Sequence, residues 1–192
     1  MCAPLEELRN ENFNVHGYFY NPNIHPLLEF RKRIKALRVF QESDHIVVDY
    51  CEEYGLREYL KEVDYEGDDR CGDCYRLRLK TTARYAKEKG FDTFTSTLLF
   101  SKRQDHEKIK ETCEKVAEEI GITFEYRDYR HLCECSHEIA RGKMLYRQSY
   151  CGCIFSEYER YKDTTRNLYE GWKFKRNDDN HLSMKEVHSH CS

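Results

Sequence analysis

The chain has 192 residues, of which 35% are charged, and it carries a formal net charge of −3 at pH 7. This length suits one domain with a hydrophobic core, and no apolar run is long enough to span a bilayer. The N-terminus lacks the charged and apolar regions of a signal peptide, so the sequence argues against a secreted or membrane protein and favours a cytoplasmic one.

Strand and helix patterns alternate along the chain. In chain order the predicted elements are a helical segment at 5–11, a strand at 14–20, a helix at 26–42, a strand at 45–50, helices at 56–63 and 74–89, a strand at 93–99, a helix at 105–120, a strand at 122–126, and helices at 136–148 and 153–167. The alternation favours the α/β class, with a Rossmann-like parallel sheet, helices on both faces and ligands at the carboxyl ends of the strands. Residues 1–174 are expected to form this domain with a helical, cysteine-rich C-terminal part, and residues 175–192 a polar, mobile tail.

The ten cysteines include one Cys-x-x-Cys pair, Cys71 and Cys74, at the start of a predicted helix. In a reducing compartment, clustered thiols indicate metal binding or redox catalysis rather than structural disulfides. The spacing places both sulfurs on one side of the first turn. The helix N-terminus and nearby arginines should lower both thiol pKa values; these arginines are Arg70, Arg76 and Arg78. The pair fits zinc, an iron–sulfur cluster or a thioredoxin-like dithiol.

A second pair, Cys151 and Cys153, flanks Gly152. A disulfide between residues two apart would be strained and therefore oxidising, which suits redox catalysis. Gly152 permits the unusual backbone angles that such a ring needs. Alternatively, both sulfurs bind a metal. Cys2 supplies a fifth thiol, and these five sulfurs form the candidate centre.

Basic residues outnumber acidic ones between residues 141 and 176, whereas acidic residues prevail before that segment. A basic C-terminal third on an acidic body predicts a patch for a polyanion such as RNA. The run from Tyr146 to Tyr150 combines aromatic, guanidinium and amide side chains, which can stack on and hydrogen-bond a nucleobase.

Four segments stand in a recognisable order, together with the sequence Cys2-Ala3-Pro4. They are Tyr18–Pro26, Arg70–Arg78, Thr95–Leu99 with Gln104–His106, and Tyr146–Cys153. From Cys2 to about Tyr161 the sequence closely resembles the cobalamin-independent epoxyqueuosine reductase family. The resemblance implies the last step of queuosine synthesis, in which an epoxide on the modified base of a tRNA anticodon is reduced to an alkene with loss of water.

The resemblance also implies a cofactor and a fold. Members of the family resemble Rossmann-type proteins of the adenine-nucleotide hydrolase group and carry a 4Fe–4S cluster held by an N-terminal Cys-Cys pair and the Cys-x-x-Cys pair. Here Met1 occupies the first position of the N-terminal pair. The cluster ligands that carry over are Cys2, Cys71 and Cys74. The fourth stays open between Cys151, Cys153 and a ligand from outside this sequence.

Further roles are expected from the resemblance and the chemistry of the step. The Cys-Gly-Cys pair is expected either to be a redox-active disulfide or to lie at an adjacent mononuclear iron. The candidate catalytic residues are Cys151, Cys153, Asp73 and Tyr150, and Asp105 is a further candidate acid. The residues expected to bind tRNA phosphates are Arg141, Lys143, Arg147, Arg160, Lys162 and Arg166. The electron donor is unidentified.

Three other functions fit parts of the pattern. A zinc-stabilised RNA-binding protein without redox activity would use both cysteine pairs as one four-thiolate site. A thiol–disulfide oxidoreductase would need no metal. A nucleotide-dependent tRNA thiolation enzyme would need a phosphate-binding loop rich in glycine and serine near the first strand, and the sequence has none there.

Overall fold

The computed structural model describes residues 2–164, and at Cys2 it describes the backbone only. The chain divides into a unit spanning 1–160 and a unit spanning 161–192, and only residues 161–164 of the second are described. The predicted tail at 175–192 and the predicted domain boundary before it therefore lie outside the described residues. Within the described residues, no helix combines the length and the apolar character needed to cross a membrane.

The first unit is a mixed α/β structure. Its helices are α1 (Cys2–Asn10), α2 (Leu27–Asp44), α3 (Leu56–Glu62), α4 (Arg70–Glu88), α5 (His106–Ile120), α6 (Cys133–Gly142) and α7 (Ile154–Tyr161), the last of which ends on the first residue of the second unit. Its strands are β1 (His16–Phe19), β2 (Val47–Tyr50), β3 (Thr93–Phe94) and β4 (Thr123–Phe124). Short 3₁₀ helices cover Thr97–Phe100 and Tyr129–Leu132.

The strands pair in parallel, as the alternating pattern predicts. In one two-stranded sheet β1 lies beside β2 with Phe19 opposite Tyr50. In the other, β3 lies beside β4 with Phe94 opposite Phe124. Small parallel sheets with helices between their strands are thus confirmed. The strand predicted at 93–99 is wrong beyond Phe94, because the chain turns into a 3₁₀ helix.

The largest core cluster lies between α4 and α5, and its most buried members are Leu79, Ala83, Leu99, Ile109, Cys113 and Val116. Local signals position both helices. Asp105 caps α5 by accepting a hydrogen bond from the Lys108 amide. Gly121 ends α5 in the left-handed conformation with φ 70°.

Helix α4 begins four residues earlier than the prediction of 74–89, at Arg70. The cause is Asp69, whose carboxylate accepts a hydrogen bond from the Gly72 amide at 3.0 Å and so caps the helix. As a result Cys71 and Cys74 both lie in the first turns of α4, where the spacing of the motif places them.

Candidate active site

The structure brings the two cysteine pairs into one neighbourhood. Cys74 and Cys153 are buried against Tyr59 and Val63 in a single cluster, and half-buried Cys151 packs on it. Tyr59 is 1% exposed, and its hydroxyl lies beside the Cys153 sulfur. Cys71 is exposed, one helical turn before Cys74 on α4, and is not part of the buried cluster. We call Tyr59 and the four cysteines at 71, 74, 151 and 153 the thiol cluster. Residues separated by about 80 positions thus meet around one buried tyrosine, which the sequence alone does not require.

Cys151 and Cys153 are both thiols in this structure, with their sulfurs 3.6 Å apart. The Cys153 sulfur accepts hydrogen bonds from the Cys151 thiol and, at 3.3 Å, from the backbone amide of Ser156 in the first turn of α7. These donors lower the pKa of Cys153 to about 5, and Arg70 adds to the effect. The pKa of Cys151 is raised, first because its proton is shared with Cys153 and second because the sulfur is buried. Cys153 is therefore the more acidic thiol of the pair, and Cys151 is its hydrogen-bond donor.

The expectation of lowered pKa values at Cys71 and Cys74 is wrong. Desolvation raises the pKa of Cys71 and raises that of Cys74 to about 11, and it outweighs the attraction of Arg70 and Arg78. The third arginine, Arg76, instead lies 3.5 Å from Glu119. Arg70 and Arg78 act on these thiols as the sequence predicts, but the thiol with the lowered pKa is Cys153.

The turn after β1 forms hydrogen bonds with the Cys-Gly-Cys segment and with Tyr150 beside it. The His25 amide donates to the Gly152 carbonyl at 2.7 Å, and the Tyr150 hydroxyl donates to the His25 carbonyl at 2.9 Å. The His25 side chain is 2% exposed and its Nδ1 lies 3.0 Å from the Tyr54 hydroxyl. Burial lowers the pKa of His25, so its ring is neutral. The predicted position at the carboxyl end of the first strand therefore contacts the thiol-bearing loop.

Replacing Gly152 with alanine should destabilise the fold by about 1–3 kcal/mol. Gly152 has φ +124°, a conformation that side chains rarely adopt, and a Cβ atom would lie 2.8 Å from Ile24 Cγ1 and 3.1 Å from Arg33 Nη1. The measurement is chemical denaturation followed by circular dichroism. Gly142→Ala is the control, because a Cβ atom there meets nothing within 4 Å. Equal stability of the two variants would contradict the close fit of this loop.

The other candidate catalytic residues lie around this centre in different settings. Asp73 accepts a hydrogen bond from the Asp64 amide at 3.0 Å and lines a cavity of about 460 Å³ between α3 and α4. The Tyr150 hydroxyl proton is donated to a backbone carbonyl, and burial raises the pKa of Tyr150. Asp105 caps α5. Of these candidates, Cys151 and Cys153 are the two whose side chains contact each other.

Sulfur donors suit a soft transition metal or an iron–sulfur cluster. In the described part of the chain, no three histidine, cysteine, aspartate or glutamate side chains are grouped closely enough to hold one ion. Cys74, Cys151 and Cys153 lie together in the cluster around Tyr59, and the side chain of Cys2 lies outside the description. The donor chemistry fits the expected group, and the described ligand set is partial.

The residues expected to bind tRNA differ in their exposure to solvent and in their ion pairs. Exposed positions are Arg141, Arg147, Arg160 and Lys162. Lys143 is half-buried and forms an ion pair with Asp44 at 2.5 Å, so its charge is already matched. Arg166 lies outside the described residues.

Comparison with known proteins decides the family. A family model described as epoxyqueuosine reductase QueH matches residues 1–159. A protein of Dehalococcoides mccartyi named epoxyqueuosine reductase QueH is 39% identical over 153 residues, which cover 80% of this chain and 84% of that protein. A protein of the same name from Thermotoga maritima is 35% identical over 172 residues, which cover 83% of this chain and 88% of that protein. The chain belongs to the epoxyqueuosine reductase QueH family.

Membership of the QueH family confirms the resemblance drawn from the four sequence segments and makes the chain an oxidoreductase. The matched region contains the whole thiol cluster. The zinc-stabilised RNA-binding protein receives no support from the relatives.

Sequence reasoning missed several residues that shape this QueH-family site. They are Tyr59, Ser156, Glu29 and Arg33. Ser156 stands three residues after Cys153. At this spacing an amide in the first turn of a helix can donate to the side chain of the residue before the helix. The sequence therefore contained a signal for the contact between Ser156 and Cys153. Glu29 and Arg33 are spaced as an i,i+4 pair, but nothing in the sequence separates them from the other charges of α2.

Proposed function

We propose that this chain reduces epoxyqueuosine in tRNA to queuosine at a metal–sulfur centre built on the thiol cluster. The observation that carries the proposal is the packing of Cys74, from the Cys-x-x-Cys pair, with Cys151 and Cys153 in the cluster around Tyr59. Reduction of an epoxide to an alkene takes two electrons and two protons and releases the oxygen as water. The site must therefore deliver electrons and protons to one buried place.

Cys2, Cys71 and Cys74 are proposed to hold the expected 4Fe–4S cluster, with Cys151, Cys153 or an outside group as the fourth ligand. When bound, such a cluster supplies electrons one at a time from an external donor. Metal binding would release the protons of Cys71 and Cys74, whose raised pKa values keep them protonated otherwise.

Cys151 and Cys153 are proposed to act together in the reaction. The Cys151 thiol donates a hydrogen bond to the Cys153 sulfur over 3.6 Å, and this contact lowers the pKa of Cys153. The pair can therefore bind an adjacent mononuclear iron through sulfur, or can give up two electrons, together with any proton that the two sulfurs still carry, as it forms a disulfide. Tyr150 and Asp73 remain the proposed proton donors to the departing oxygen.

The tRNA is proposed to bind through basic side chains of the C-terminal part. They are the exposed residues Arg141, Arg147, Arg160 and Lys162, and Arg166, which lies outside the described residues. Lys143 is proposed to contribute less because it is paired with Asp44. A Rossmann-like fold of the adenine-nucleotide hydrolase kind and a cytoplasmic location belong to the same proposal. The parallel pairing of β1 with β2 and of β3 with β4, with helices between them, supports the first of these.

Anaerobic purification tests this function. The protein is expected to be brown, to contain iron and acid-labile sulfide, and to convert tRNA carrying epoxyqueuosine into tRNA carrying queuosine when given a low-potential reductant. Cys71→Ala should lose most of the iron and lower the activity by at least about 100-fold, because a four-thiolate cluster would lose a ligand.

Cys133→Ala is the matched control, since Cys133 is a half-buried thiol on α6 outside the thiol cluster. It should keep both iron and activity. A colourless protein containing zinc, or full activity after complete removal of iron, would refute the metal–sulfur centre.

A further inference from the structure

Arg33, on α2, reaches the Cys-Gly-Cys segment without touching either sulfur. Its Nη1 donates to the Cys151 carbonyl at 2.8 Å and its Nη2 donates to the Tyr150 carbonyl at 3.0 Å. The next carbonyl, that of Gly152, accepts from the His25 amide. The three successive carbonyl oxygens of residues 150–152 therefore each accept a hydrogen bond, from Arg33 or from the His25 amide.

The guanidinium is itself fixed. Its Nε donates to Glu29 Oε1 at 2.9 Å, and the Arg33 and Glu29 side chains are only 10% and 8% exposed. The second carboxylate oxygen of Glu29 accepts from the Tyr146 hydroxyl at 2.6 Å. A buried ion pair whose members are also hydrogen-bonded costs less to bury and holds one geometry.

The planar fork of arginine is needed for this arrangement. One side chain must donate to a carboxylate along one edge and to two different carbonyls along the other. A lysine ammonium group on its flexible stem has no fixed geometry for these three hydrogen bonds. The loop has little other freedom on this side, because Ile24 and Arg33 occupy the space beside Gly152.

We propose that Arg33 is a positioning residue, which sets the separation and direction of the Cys151 and Cys153 sulfurs through its hydrogen bonds to the Tyr150 and Cys151 carbonyls. The inference rests on the proposed function of the two thiols. Arg33 acts through the loop backbone, since it donates its hydrogen bonds to carbonyl and carboxylate oxygens, and its guanidinium lies 5.7 Å from the centroid of the Tyr150 ring. Tyr146 acts one step further out, by orienting Glu29.

Arg33→Lys tests the proposal in the full-length, metal-containing protein. The substitution keeps the charge beside Glu29 but loses the fork. We expect kcat to fall by about 10- to 100-fold with KM for the tRNA within about twofold, because a displaced reactive group affects the chemical step more than binding.

A second measurement follows the thiols directly. Equilibration with glutathione disulfide, which is reduced to two thiols as the protein pair is oxidised, gives the equilibrium constant for joining Cys151 to Cys153. Releasing the carbonyls should let the sulfurs approach more freely, so this constant should change by about tenfold toward the disulfide in Arg33→Lys. A general loss of stability would not produce that shift.

Two variants keep the test decisive. Glu29→Gln removes the buried charge but leaves an amide oxygen to accept from Arg33, so the melting temperature should fall while the thiol equilibrium stays within about twofold. Arg38→Lys changes an exposed arginine of the same helix, paired with Glu52 at the surface, and should change neither quantity. An unchanged thiol equilibrium in Arg33→Lys, or an equal change in Glu29→Gln, overturns the positioning role.

Failure of the inference is distinct from failure of the proposed function. If Cys151→Ser and Cys153→Ser stay active, the proposed function of the pair fails, whatever Arg33→Lys does to the thiol equilibrium in the native pair. If both serine variants are inactive and Arg33→Lys behaves as the native protein does, the function stands and the positioning role is wrong.

Discussion

Cys153→Ser is expected to abolish turnover, lowering kcat by at least about 1,000-fold. Cys153 is the thiol whose pKa is lowered to about 5, and it is buried against Tyr59 and Cys74. A serine hydroxyl fills nearly the same space but stays protonated at neutral pH and forms no disulfide. The measurement is single-turnover conversion of epoxyqueuosine to queuosine in tRNA by the anaerobically prepared protein.

The matched control is Cys135→Ser, an exposed cysteine on α6. It should convert tRNA at the native rate. Circular dichroism should show that both variants are folded, because the exchange of sulfur for oxygen removes no apolar contact beyond one atom. A Cys153→Ser protein that turns over within about tenfold of the native rate would remove this thiol from the chemistry.

Leu99→Ala is expected to lower the free energy of unfolding by about 2–5 kcal/mol. Leu99 lies in the 3₁₀ helix after β3, is 0% exposed and packs in the α4–α5 core cluster. The lost methyl and methylene groups leave a cavity that a packed core fills only in part. This is a large share of the roughly 5–15 kcal/mol that stabilises a typical domain.

Leu60→Ala provides the comparison, because Leu60 is 44% exposed on α3. It should cost less than about 1 kcal/mol in the same denaturation experiment. Similar losses for the two leucines would contradict the assignment of Leu99 to the centre of the core.

Several features were predictable because their causes are local. The α5 prediction of 105–120 matches the observed His106–Ile120, since a capping aspartate, a helical apolar period and a terminal glycine all lie within the segment. The start of α4 at Arg70 depends on the Asp69 cap, a local signal that the predicted start at residue 74 leaves out. The strand at 93–99 was overextended, because an apolar run does not distinguish a strand from the 3₁₀ helix found at Thr97–Phe100.

The candidate site also has features that the sequence predicted and features that depend on the folded structure. The sequence identified the two cysteine pairs and their family, since spacing and order are properties of the chain itself. It predicted the wrong thiols as acidic, because helix ends and neighbouring arginines are visible in a sequence whereas desolvation is not. The low pKa at Cys153 depends on donors from Cys151 and Ser156 whose geometry only the folded loop provides.

The helical segments, the spacing of the two cysteine pairs and the family of the chain follow from the order of the amino acids, because capping, periodicity and spacing act over a few residues. The packing of Cys74, Cys151 and Cys153 around Tyr59, and the hydrogen bonds from Arg33 to the loop carbonyls, arise only when α2, α3, α4 and the Cys-Gly-Cys loop pack together. Burial and long-range contact determine those features, and neither is encoded in any short stretch of the chain.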